Sequence, residues 1–212
     1  MTNLGAGHDT VHLTINCAFW EMCKHPDVQK RLRHEIRQNL KDPATVSGDA
    51  STDAGSIDSL PYPQAVCDEV LRLHHSGPTV HHVSIEPTTA NGQVFPKGTT
   101  GIMPISAYNL APQLWNSDPL RSDPGRWLND SSLGGAYEWK AFLTFSTGAR
   151  VCIGERLGRA ELKHLLAGLV GNFNFSWAGT GGNGQTQELI LEHGITSRMI
   201  GGMKVRIKQL DS

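Results

Sequence analysis

The stretch 145-FSTGARVCIGERLGRAEL-162 sets Cys152 between Gly148 and Gly154, two residues after Arg150 and just ahead of an apolar, helix-like run. The glycines allow close backbone approaches that side chains resist. A helix starting near Gly154 points its positive end back at the sulfur, which favours thiolate over thiol. A thiolate serves as a nucleophile, a redox centre or a metal ligand. No second cysteine lies at the C-x-x-C interval that a redox dithiol or a paired zinc site uses, although His74-His75 and His81-His82 keep nitrogen donors in view. No cysteine-protease signature surrounds Cys152, and the scattered histidines nominate no base. An ordinary buried cysteine would account for the sulfur but not for Phe145, Gly148, Arg150 and Gly154 together.

Those residues stand in the pattern F-x-x-G-x-R-x-C-x-G, which resembles the heme-binding loop of the cytochrome P-450 family. The resemblance implies heme as cofactor and Cys152 as the axial thiolate on its iron, pushing electron density toward the metal and favouring O–O cleavage. It also implies that Arg150 pairs a heme propionate through its guanidinium fork. Phe145 then packs near the ring, while Gly148 and Gly154 let backbone amides approach the sulfur. Glu161 matches the glutamate that closes the longer pattern, and Gly158 stands where the family usually has alanine.

Three further elements follow the family's order. Glu69 and Arg72, three apart on a predicted helix, share a face and can pair, at about 0.2 to 0.5 kcal/mol if exposed. In the family this E-x-x-R pair is joined by an arginine from a later irregular stretch, and Arg126 in 123-DPGRW-127 occupies that place, with Ser122 and Gly125 replacing the usual aromatic and glutamate. Near the N-terminus, 6-AGHDT-10 resembles the segment of the central helix over the distal heme face, which implies that Asp9 and Thr10 carry protons toward bound oxygen. Read without the family, the same segment opens an N-terminal helix with Asp9 and Thr10 near its first turn as caps. His82, in 78-PTVHH-82, is the candidate for a second propionate contact. Adjacent strand residues point to opposite faces, so at most one of His81 and His82 can face the heme. Arg156, Arg159 and Lys163 cluster on one side of the post-cysteine helix and read either as a docking patch for an acidic electron donor or as a solvated face.

The elements that must position these residues are legible in the periodicity. Val11, Ile15, Phe19 and Met22 keep helical spacing up to Pro26, and Val28, Leu32, Ile36 and Leu40 mark an amphipathic helix after it. Residues 41–60, rich in Ser, Asp, Ala, Gly and Thr, read as a flexible surface loop. The run 64-QAVCDEVLRLHH-75 is again helical. VHHVSI, QVF and TTGIMPI, separated by Asn91-Gly92 and Pro96-Lys97-Gly98, predict short antiparallel strands. Residues 109–141 are irregular, a leucine-rich helix follows Cys152, and NFSW, ELILE and MKVRIKQ predict terminal strands.

The fold class is therefore mainly α with a minor antiparallel β part. The resemblance makes it the C-terminal portion of the cytochrome P-450 fold, running through the central helix, E-x-x-R helix, meander, heme loop, post-cysteine helix and terminal strands. Residues 1–212 form one partial domain in this reading, and the N-terminal half of the usual domain is expected to be absent. Met1 falls where the central helix should already be under way, so a truncated product, an incomplete gene model or an excised piece is expected.

A formal net charge of −1, with no basic stripe, excludes a nucleic-acid partner. No window has the roughly 20 apolar residues of a membrane span, although full-length members of the family are often anchored in the endoplasmic reticulum. Four irregularly spaced cysteines favour a reducing compartment. By resemblance the activity is a monooxygenase acting on a small organic substrate with electrons from NADPH through a reductase. Leu4, Val80, Ile195 and Thr196 are expected near the pocket. The alternative is a non-catalytic fragment or pseudoenzyme of the same family, unable to enclose heme or substrate.

Overall fold

In the computed structural model the described residues are 2–40, 57–115, 118–128, 142–178 and 188–210, with side chains from residue 5 onward. Four long helices build the core: α1 (Thr2–Lys24), α2 (Pro26–Asn39), α3 (Pro61–Leu73) and, after a short α4 (Ile105–Asn109), α5 (Glu155–Asn172). Prolines open α2 and α3 at the first helical position, where a missing N–H leaves no bond unmade. Cys17 and Met22 of α1, Leu32 and Ile36 of α2, Val66 and Val70 of α3 and Leu162 and Leu166 of α5 meet in one apolar cluster at 2 % exposure or less.

Among the described residues the β part consists of four two-stranded antiparallel pairs. β1 (Thr79–Val83) pairs with β4 (Thr100–Pro104), and β2 (Thr88–Ala90) with β3 (Gln93–Phe95). Near the C-terminus β5 (Phe173–Trp177) pairs with β8 (Val205–Gln209), and β6 (Leu191–His193) with β7 (Ser197–Met199). The sequence pattern does not mark Thr88–Ala90 as a strand, yet QVF pairs with it. Asn91 and Gly92 both take positive φ (48° and 77°), the two-residue turn that pairs a strand with its immediate predecessor. QVF therefore folds back on Thr88–Ala90, and β1 closes on β4 around that hairpin.

The loop expected over 41–60 needs a second correction. Ile57 and Asp58 are helical, and Ile57 and Leu60 are buried at 0 and 6 %, so the end of that stretch belongs to the core. Residues 41–56 lie outside the described residues, as do 116–117 and 129–141 of the irregular stretch.

Helix α2 does more than bury its apolar stripe. Gln29, 2 % exposed, uses its side-chain amide as a strand uses its backbone: Nε2 donates to the Phe175 carbonyl at 3.0 Å, and Oε1 accepts from the Phe175 amide at 2.9 Å. Arg33 donates to the Val170 and Phe173 carbonyls, each at 3.0 Å, and Arg37 to the Gly171 carbonyl at 2.9 Å. Val170 and Gly171 lie in the last turn of α5, whose carbonyls have no partner within the helix, and a cation there also meets the negative end of the helix dipole. The C-terminal end of α5 is held from α2. Among the described residues no helix is long and apolar enough to cross a membrane.

Replacing Gln29 by Ala strands the N–H and C=O of buried Phe175. The free energy of unfolding should fall by roughly 1–3 kcal/mol in urea titration, and a loss within error would remove the role assigned to that amide.

Candidate active site

The site is built outward from one buried carboxylate. Glu69 and Arg72, on one face of α3, are 1 and 0 % exposed. Arg72 grips Glu69 with both arms, Nε to Oε2 at 2.9 Å and Nη2 to Oε1 at 2.8 Å. Arg126 Nε donates to Oε1 at 3.1 Å, the Trp127 indole N–H to Oε2 at 2.9 Å, and the Asp123 amide to Oε1 at 2.9 Å. Such a charge persists in the interior only when paired and hydrogen-bonded on every side.

The donors left over on the two arginines order the irregular chain around them. Arg72 Nη1 donates to the Pro119 carbonyl at 2.7 Å, and Arg126 Nη2 to the Asp118 and Arg121 carbonyls, each at 3.2 Å. Both guanidinium groups also lie over the buried Trp115 ring, 4.8 and 5.8 Å from its centroid. At Gly125 a side chain would place its Cβ 2.9 Å from Asp123 Oδ1, the atom that accepts the Gly125 amide and starts the 3-10 turn Pro124–Trp127.

The cysteine loop lies next to this network. Ser146 and Gly148 take positive φ (61° and 72°), a 3-10 turn covers Gly148–Arg150, and the Cys152 amide donates to the Phe145 carbonyl at 2.9 Å. Gly154 caps α5, so Cys152 sits at the helix's N-terminal end. The sulfur is exposed, in contrast to the other three cysteines. Burial pushes the Cys23 thiol up to about 11 and, with the Glu21 charge adding to it, the Cys17 thiol to about 12. Cys67, also desolvated and beside Asp68, is pushed higher still.

Cys152 opens into a cavity of about 370 Å³ whose opposite wall is α1. Thr10, Phe145, Cys152 and Gly154 all line it, together with Ala6, Gly7, Leu71, Gly77, Leu157 and Glu161. Of these, Leu71 and Gly77 hold no fixed position in any of the motifs. Beside the sulfur the rim is apolar and bare: Ile153 is 94 % and Leu157 70 % exposed. Gly148, Arg150, Asp9 and His82 are not on this wall.

Arg150 is exposed and makes no ion pair with any described residue. His82 is exposed on β1 opposite Gly101, and His81 bonds Thr79 Oγ1 at 3.1 Å. Asp9 faces a second, larger cavity of about 850 Å³ between α1 and the β6–β7 hairpin, and its carboxylate lies 3.0 Å from His8 Nδ1. Thr10 Oγ1 instead donates back to the Ala6 carbonyl at 2.8 Å. Asp9 and Thr10 thus open onto different cavities. Ile195 and Thr196 line the second cavity rather than the first, Val80 is half-buried on β1, and the Leu4 side chain lies outside those described.

The cluster Arg156, Arg159 and Lys163 does not form an open cationic face. Arg159 pairs with Asp68 and, at 3.0 Å, with Glu155, while Lys163 is 5 % exposed and meets Asp58 Oδ1 at 2.9 Å. Arg156 is exposed. The Arg159 guanidinium also lies 5.0 Å from the Phe145 ring centroid, so it braces α5 against α3 and the loop. Burial pushes the Asp68 carboxyl up against the opposing pull of Arg159.

One histidine pair, His8 and His12, has the i, i+4 spacing of zinc sites, with rings stacked 6.1 Å apart. Among the described residues, however, no group of three histidine, cysteine or acidic side chains converges on one point. A lone exposed thiol on an apolar, glycine-flanked rim suits a metal that arrives with its other ligands already in place.

A helical core with small antiparallel sheets presents one cysteine at a helix N-terminus, on a cavity that α1 also lines. Residues 1–193 match the family model for cytochrome P-450, and the chain belongs to that family. It is 45 % identical over 177 residues to the cytochrome P-450 monooxygenase sphH of Aspergillus fumigatus, an alignment covering 82 % of this chain and 32 % of that protein. The cytochrome P-450 monooxygenase FSL4 of Gibberella zeae is 38 % identical over 82 % of the chain and 31 % of its own length. That named ALT8 of Alternaria alternata is 32 % identical over 100 % of the chain and 40 % of its own length. The chain thus spans about a third of the length of the curated relatives it matches. The family's cofactor is heme. The exposed thiol, the apolar rim and the cavity wall of small residues Ala6 and Gly7 fit that group.

Two outcomes follow for this site. Brief alkylation of the native chain at mildly alkaline pH should label Cys152 and spare Cys17, Cys23 and Cys67, as read by peptide mass spectrometry; equal labelling of Cys67 would contradict the packing around it. Glu69→Ala leaves two arginines buried without their anion and should destabilise the fold by about 3–5 kcal/mol in chemical denaturation.

Proposed function

We propose that this chain is the C-terminal portion of a heme-thiolate monooxygenase. The observation that carries the reading is the meeting, across one cavity, of Cys152 on its glycine-flanked loop with Gly7 and Thr10 of α1. In this reading α1 is the central helix, α3 the E-x-x-R helix, residues 118–128 the described part of the meander, 145–154 the heme loop and α5 the post-cysteine helix, with β5–β8 as terminal strands.

Bound heme would supply the redox chemistry by which one atom of O₂ enters an organic substrate and the other leaves as water. The protein's part is positional and protic. Cys152 would offer its thiolate to the iron, Phe145 and Leu157 would give apolar surface to the ring, and Arg150, which pairs with no described residue, would hold a propionate, with His82 as a second candidate. Thr10 holds a proton at Oγ1 on the cavity wall. Asp9, which opens onto the second cavity, is the other proton carrier of this reading. Electrons come from NADPH through a separate reductase, and the substrate is a small organic molecule.

A second reading, a fragment that keeps the loop but does not enclose heme or substrate, draws on the exposure of Ile153 and Leu157 beside the sulfur. Hemin reconstitution of the purified chain followed by reduction under carbon monoxide separates the two. The monooxygenase reading expects the red-shifted Soret band of thiolate-ligated heme, lost in Cys152→Ser. Hemin that stays unbound, or a band that survives in Cys152→Ser, would sink it for this chain.

A further inference from the structure

Asn109 ends the short helix α4, is 0 % exposed, and belongs to none of the motifs that mark the site. Its side-chain amide is used at both ends. Nδ2 donates to the Arg72 carbonyl at 3.2 Å and to Thr144 Oγ1 at 2.7 Å, while Oδ1 accepts from the Leu143 amide at 2.9 Å. Its backbone carbonyl accepts from Arg72 Nη1 at 2.9 Å. Thr144 Oγ1 completes the junction by donating to the Leu71 carbonyl at 2.8 Å. One residue thereby joins α3, α4 and the segment entering the cysteine loop.

The junction lies close to the sulfur in bonds. Leu143, whose N–H Asn109 holds, gives its carbonyl to the Ser146 amide at 2.8 Å, closing a turn at whose end Ser146 takes positive φ. The next carbonyl but one, that of Phe145, accepts the Cys152 amide at 2.9 Å. Thr144 itself lines the cavity. Arg72 sits at the other end of the chain of bonds, with one arm in the Glu69 network and another on Asn109. Only an amide meets these demands. It must give two hydrogens and take one, whereas a carboxylate has no hydrogen to give and a hydroxyl is too short and has one.

We propose that Asn109 is a positioning residue for Cys152: it transmits the fixed geometry of the Glu69–Arg72 network to the loop, so that the place of the sulfur on the cavity wall is set from α3. Its consequence for the cofactor rests on the heme-thiolate reading, but the coupling itself does not. A test without heme therefore tells a failure of this inference apart from a failure of that reading.

The test is native-state amide hydrogen exchange on the full heme-free chain, comparing wild type with Asn109→Asp and Thr144→Val. Asn109→Asp keeps the size and the acceptor for Leu143 but has no donor for Arg72 or Thr144. Thr144→Val removes the bridging hydroxyl. In both variants the Leu143, Ser146 and Cys152 amides should exchange faster by about tenfold or more, while core amides of α2 and α5 such as Ile36 and Leu166 keep their rates. Unchanged exchange at Cys152, or equal acceleration throughout the core, would overturn the proposal. If Asn109→Asp does not fold, Thr144→Val decides by the same readings.

Discussion

A carboxylate in the middle of an apolar core is the constraint around which this molecule is arranged. Glu69 faces the interior because its position on α3 leaves no other direction, and its charge is tolerable there only if every lone pair is engaged. Two arginines, an indole and a backbone amide converge on it. Each arginine brings more donors than one carboxylate can use, and the surplus goes to backbone carbonyls of Asp118, Pro119 and Arg121, a segment with no regular structure to satisfy itself. This irregular segment is ordered by leftover hydrogen bonds of a buried ion pair. Replacing the pair by packed hydrocarbon would leave those carbonyls without partners, so its value lies in the geometry it imposes.

Helix α5 is the second fixed body. Its C-terminal carbonyls are met by Arg33 and Arg37, its flank is braced by Arg159 on Asp68, and Lys163 is pinned to Asp58. The N-terminal end, where Cys152 stands, is thus presented by a helix that cannot easily shift or turn. With α1 packed against the same core, the sulfur and the wall formed by Gly7 and Thr10 keep a defined separation. The cavity is the gap between the N-terminal parts of two helices whose later turns enter the common core.

Much of this was legible in the residues. Hydrophobic spacing marked α1, α2, α3 and α5 because a helix that buries one face must repeat its apolar residues at the helical period. The cysteine pattern was legible because close approach demands glycine and a lone presented thiol demands special surroundings. Tertiary partners decided the rest. Gln29 and Arg33 read as the polar face of an amphipathic helix, yet they bond to Phe175 and Val170, about 140 residues away in sequence, and nothing local to α2 announces that. Arg159 and Lys163 read as a cationic patch until Asp68 and Asp58 arrived beside them. QVF chose Thr88–Ala90 as its partner because the turn between them is shorter than any alternative closure.

By itself the sequence determined which chemistry is on offer: one cysteine set among glycines beside an arginine, a glutamate three residues before another arginine, and an acid next to a hydroxyl. Those statements concern residue types and local spacing, which the chain carries with it whether or not it is folded. The fold alone decided that Thr10 shares the cysteine's cavity while Asp9 turns to another, since neighbours on a helix point about 100° apart and the packing of α1 selects which of them faces Cys152. It alone made Asn109, a residue of no motif, the joint between a buried ion pair and the loop that holds the sulfur, because such a joint exists only where three distant segments meet.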